Sequence, residues 1–64
     1  MYYIYQVINT VNGKIKYICI NCKHIETSRK RINSRYDFRH EKELYTICND
    51  KETKTKILSE LKNQ

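Results

Sequence analysis

Arg29-Lys30-Arg31, followed by Arg35 and Arg39, is the densest run of fixed positive charge in the chain. Guanidinium groups grip phosphate or carboxylate oxygens in pairs, and residues four apart share one face of a helix. Arg31 and Arg35 have that spacing. The chemistry they imply is a clamp on the phosphates of nucleic acid or on the carboxylates of an acidic protein. The plainer account is a solvated helix face. Tyr2, Tyr3 and Tyr5 add rings able to stack on bases, although packing of a sheet or a dimer contact competes for them. Cys19-x-x-Cys22-x-His24, with His40 and Cys48 further on, has the ligand types of a tetrahedral zinc site. The second pair lacks compact spacing, and Cys19 and Cys48 fall in apolar segments, where cysteine serves as a small buried hydrophobe. No metal is therefore assigned, with Cys19, Cys22, His24 and Cys48 as the ligands a zinc would use.

These groups need elements to position them. Tyr2 to Ile8 is rich in aromatic and β-branched residues and reads as a strand. Asn12-Gly13 marks a hairpin, and Lys14 to Ile20 is the return strand. A two-residue turn there pairs Ile8 with Tyr17 and Tyr5 with Ile20. Strand parity puts Ile4, Ile8, Ile15, Tyr17 and Cys19 on one face, and Tyr3, Tyr5, Val7, Ile18 and Ile20 on the other. Both faces are apolar, so both are covered, by the chain's own helices or by a second copy. Thr27 or Ser28 can cap a helix, whose stripe is Ile25, Ile32 and Tyr36. Asp37 to Lys42 reads as a polar loop, and Leu44 to Cys48 as a third strand. Asp50 caps a last helix from Lys51 to about Leu61, facing inward through Ile57, Leu58 and Leu61. The expectation is a single α+β domain over residues 1–64, with a small antiparallel sheet and the order β-β-α-β-α.

The chain has 64 residues, no proline and one glycine. A chain of this length buries only about 60% of its unfolded surface, which leaves a thin stability margin. Thirteen basic and seven acidic residues give a net charge of +6, a field that attracts polyanions. No apolar run approaches the ~20 residues of a membrane span, and no signal-peptide pattern opens the chain. The expected location is the cytoplasm, where the three cysteines stay reduced.

Tyr3-Ile4-Tyr5, Asn12-Gly13-Lys14 and Tyr17-Ile18-Cys19 together resemble the opening hairpin of the GIY-YIG nucleases. Ser28 to Ile32 is similar to that family's first helix, and Glu43 to Lys62 to its third strand and following helix. The resemblance implies a metal-dependent DNA endonuclease in which Tyr5 and Tyr17 are the motif tyrosines and Arg31 stabilises phosphate charge. The glutamate that would hold Mg2+ or Mn2+ aligns with Ser59, next to Glu60. A one-residue shift turns a helical side chain by about 100°. Tyr3 and Cys19 also stand where the family has glycine. Parity places Tyr5 and Tyr17 on opposite faces unless a bulge intervenes, and otherwise Lys16 takes the second tyrosine's place.

The expected function is accordingly a non-catalytic binding protein. Its basic helix, with Arg29, Lys30, Arg31, Arg35 and Arg39, engages nucleic acid or a nucleic-acid-processing protein. Frequent Ile, Lys, Asn and Tyr suggest an AT-rich genome, of a phage or mobile element. Small size with this composition is associated here with a phage-encoded inhibitor of a bacterial defence system acting in the host cytoplasm, although no motif encodes that role. A homodimer is expected, through a sheet face or an open strand edge. The alternatives are a minimal nuclease using Tyr5, Tyr17, Arg31 and Glu60, and a zinc-stabilised interaction domain.

Overall fold

The computed structural model describes residues 1–62. Its elements run β1 (Tyr2–Asn9), β2 (Ile15–Asn21), α1 (Ile25–Arg35), β3 (His40–Cys48) and α2 (Lys51–Lys62). The three strands form one antiparallel sheet in the order β2-β1-β3. The α+β class and the element order are those expected.

β1 is the centre of the sheet because it is apolar on both sides. Tyr3, Tyr5, Val7 and Ile20 pack under Ile32 of α1, with Ile25 and Tyr36 alongside. Ile4 and Cys48 pack under Leu61 of α2, with Tyr2, Tyr17, Cys19, Ile57 and Leu58 around them. Each helix thus seals one face, and the chain supplies its own cover. The α2 cover is incomplete. Ile15 beside the hairpin loop and Tyr45 in the bulged part of β3 stay half exposed.

The hairpin register differs from the one the Asn-Gly dipeptide implies. Ile8 pairs with Ile15 and Tyr5 with Ile18, not with Tyr17 and Ile20. The cause is Asn9. Its side-chain carbonyl accepts the N–H groups of Val11 (2.9 Å) and Asn12 (3.3 Å), which ends β1 early. Asn9 then pairs with Lys14 across a four-residue loop, while the Gly13 N–H donates to the Asn9 carbonyl at 2.7 Å. In this loop Gly13 takes positive φ, at 74°, and Asn12 does not, whereas a type I′ turn needs it at both positions. The slip is by two residues, so every side chain keeps its expected face.

Two other boundaries move. β3 begins at His40, so Asp37–Lys42 is not all loop; Thr10 N–H to Arg39 C=O (2.9 Å) and the pairing of His40 with Asn9 draw this polar segment into the sheet. Polar residues suit this strand because it is an edge, with Glu41 and Glu43 exposed. α1 begins at Ile25, with His24 at its N-cap and no side-chain cap, so neither Thr27 nor Ser28 caps it. Ser28 is instead fully buried in the first turns. Asp50 does cap α2, accepting the Thr53 N–H and hydroxyl at 3.0 Å each. Those bonds favour the ionised form and lower its pKa.

Candidate nucleic-acid interface

The two faces of the sheet differ in charge as well as in their helices. Lys16 and Lys42 flank Val7 on the α1 face, and Lys14 stands beside them at the hairpin turn. α1 carries Arg29, Lys30, Arg31 and Arg35, with Lys23 in the segment before it and Arg39 in the one after. Against these nine cations that side has two carboxylates, Glu26 and Asp37. The α2 side holds Lys51, Lys54, Lys56 and Lys62 against Glu41, Glu43, Asp50, Glu52 and Glu60. The whole of the excess positive charge therefore belongs to the α1 side of the molecule.

The cations of that side are not equivalent. Burial of Ser28 and Ile32 points the stripe of α1 inward and leaves Arg29, Lys30 and Arg35 exposed. None of these three has an ion-pair partner among the described residues. Arg31 donates through Nη1 to the Asn21 carbonyl at 3.2 Å, tying α1 to the end of β2. Lys42 Nζ donates to the Tyr36 carbonyl at 2.9 Å and so closes the C-terminal end of α1, where a cation is favoured. Lys14 and Lys16 line a shallow concavity of about 270 Å³ with Val7, Asn9, Asn12 and His40. Lys14, Lys16 and Lys42 did not emerge from reading the basic run. Strand parity was the signal that joins them to it.

Arg39 is clamped. Asp37 accepts its backbone N–H at 3.0 Å and its guanidinium at 3.0 and 2.8 Å, and Asp37 also meets His40 Nδ1 at 3.3 Å. The guanidinium bonds are the main cause of an Asp37 pKa lowered to about 2, with the backbone bond next. A carboxyl held below its unfolded pKa near 4 stabilises the fold above that value and loses its effect as pH falls through the folded pKa. The side-chain carboxyl carbon resonance of Asp37 is therefore expected to titrate with a midpoint near 2. A midpoint near 4 would show that the clamp is open in solution.

The residues that the nuclease resemblance singles out are dispersed. Tyr5 is 3% exposed beneath α1. Its hydroxyl lies 2.6 Å from Ser28 Oγ, and Ser28 donates its one proton to the Ile25 carbonyl at 2.7 Å. The Tyr5 hydroxyl is thus the donor to Ser28, a satisfied buried pair closed to solvent. Tyr17 sits on the other face, where its hydroxyl accepts from Gln6 Nε2 at 3.3 Å and its ring meets Tyr45 edge-on at 5.6 Å. The β1–β2 ladder has no shift that would turn Tyr17 back; the bulge lies between β1 and β3, at Ile4/Tyr5. Arg31 is on α1, and Glu60 is on the exposed outer side of α2 with Glu52 and Lys56. No single surface holds all four.

The cysteines are also divided. Cys22 packs on the α1 face, with its thiol donating to the His24 carbonyl at 3.2 Å. Cys19 and Cys48 are on the α2 face, and burial raises the Cys19 pKa. All three are free thiols, and no cluster of three metal-ligating side chains occurs among the described residues. No described helix is long and apolar enough to cross a membrane. No family model, curated protein or solved structure matches the chain.

Proposed function

We propose that this protein is a non-catalytic module that binds the sugar-phosphate backbone of nucleic acid with the α1 side of its sheet. The observation that carries the reading is the segregation of charge, nine cations against two carboxylates on that side. An acidic protein is the competing partner. Protein interfaces concentrate aromatic and apolar anchors at their centre and are poor in lysine there. Protein–DNA interfaces are polar and strongly positive, as this surface is. The dispersal of Tyr5, Tyr17, Arg31 and Glu60 favours binding over cutting, and the likeness to GIY-YIG nucleases is read as one of scaffold. Occupying a nucleic-acid site is also how such a module would act as a phage inhibitor of a defence enzyme.

The test is a titration of labelled single strands and duplexes of about 20 nucleotides at salt concentrations from roughly 50 to 300 mM. About five engaged cations predict a log K against log salt slope of roughly −4.5 on duplex. Plasmid incubated with Mg2+ or Mn2+ is expected to stay supercoiled. A flat salt dependence would remove the reading. Cleavage abolished by Tyr17→Phe would replace it with the nuclease.

A further inference from the structure

The most exposed large apolar side chain in the described structure is Phe38, at 91%, with Val11 next at 79%. They belong to different loops that are joined. The Arg39 carbonyl accepts both the N–H and the hydroxyl of Thr10, at 2.9 and 2.7 Å, so the hairpin loop and the α1–β3 loop form one tip. Phe38 is flanked by the residues of the clamp: the Asp37 carboxylate accepts the Arg39 backbone N–H and guanidinium, and the Asp37 carbonyl accepts the His40 N–H at 3.1 Å, which together hold the loop around it. The ring is therefore displayed from a held loop, with little left to order on binding.

The surroundings identify the occupant. Arg39 belongs to the same tip, Arg35 ends the helix just before it, and Lys14 and Lys16 line the concavity beside it on the α1 side. Asp37 and Arg39 neutralise each other, so the attraction comes from Arg35, Lys14 and Lys16. A flat apolar ring among cations matches a base with phosphates on either side, in charge and in shape. A base stacked inside a duplex has no free face to offer, whereas an unpaired base does.

We infer that Phe38 is a stacking platform for an unpaired base, so that the preferred ligand is single-stranded nucleic acid. Its backbone runs from the exposed cations of α1, past Arg35, to Lys14 and Lys16. The inference rests on the nucleic-acid reading of the α1 side and adds the strand preference to it.

Oligo(dT) and a duplex of equal length distinguish the two claims. Phe38→Ala is expected to weaken oligo(dT) binding by about 5- to 100-fold, to leave duplex binding within about 2-fold, and to keep the salt slope. The side chain is exposed, so the variant should keep its thermal midpoint. The chain has no tryptophan, so Phe38→Trp installs a single reporter. Its fluorescence should be quenched by oligo(dT) while affinity is retained. If wild-type protein binds both ligands with a steep salt slope and Phe38→Ala changes neither, the platform is overturned and backbone binding survives. Equal losses on oligo(dT) and duplex also overturn it. A blue shift of the introduced tryptophan on anionic vesicles, with no quenching by oligo(dT), would overturn it too and assign the tip to a lipid surface.

Discussion

Ile4→Ala is expected to lower the thermal midpoint of the protein by at least about 8 °C. Ile4 is fully buried at the centre of the middle strand, between Cys19 of β2 and Thr46 of β3 and beneath α2. Truncating such a side chain removes its transfer free energy and leaves a cavity, at a cost of about 2–5 kcal/mol. At roughly 0.05–0.15 kcal/mol per residue, the whole domain is worth only about 3–10 kcal/mol. The variant therefore loses a large part of its stability, and the thermal midpoint should fall by at least ~8 °C, since each kcal/mol moves it by about 4–8 °C in a domain this small. Ile15→Ala is the control. Ile15 is on the same face but 52% exposed, so its loss should move the midpoint by no more than about 3 °C. Circular dichroism melts of the two variants measure the difference. Similar midpoints would mean that α2 does not seal the sheet as described.

The face assignment was legible from the residues because strand parity is a local property. Tyr3, Tyr5 and Val7 alternate with Tyr2, Ile4 and Gln6 whatever the register, and each set met the helix whose stripe could cover it. Register was less legible. Asn12-Gly13 carries the hairpin signal, but the Asn9 side chain three residues earlier captures the loop backbone first. The start of β3 was hidden for a different reason. His40 to Glu43 is polar, and its strand character comes from pairing with Asn9 to Gln6, a contact made far along the chain.

The candidate site divides in the same way. Arg29, Lys30 and Arg35 were visible as a run, but Arg31 is partly committed to the Asn21 carbonyl, which spacing on a helix does not reveal. Ser28 looked like a cap and proved to be the partner of Tyr5, because α1 begins three residues before it. Phe38 escaped notice within a segment read as polar loop. A lone aromatic ring in such a segment was the available signal.

Arg29→Gln, Lys30→Gln and Arg35→Gln combined should reduce the salt slope of nucleic-acid binding by nearly three and the affinity by about 10²- to 10³-fold at roughly 0.1 M salt. Each cation withdrawn from phosphate leaves about one fewer counterion to release, at roughly 0.9 in the slope for duplex. These three are the exposed α1 cations whose side chains hold neither an ion pair nor a hydrogen bond among the described residues, so their loss leaves the packing of the helix intact. Glutamine has nearly the same helix propensity as lysine and arginine, which keeps α1 formed. Arg31 is left in place because it ties α1 to β2. The comparison is Lys51→Gln with Lys56→Gln on the exposed side of α2, where acidic and basic residues alternate. That pair should cost less than about 3-fold. A long-range field set by net charge alone predicts losses in proportion to the charge removed, two parts against three. A contact surface predicts loss on one side only. Equal losses per charge from the two helices would therefore show that nucleic acid senses the molecule as a diffuse cation, and the α1 side would lose its claim to be the interface.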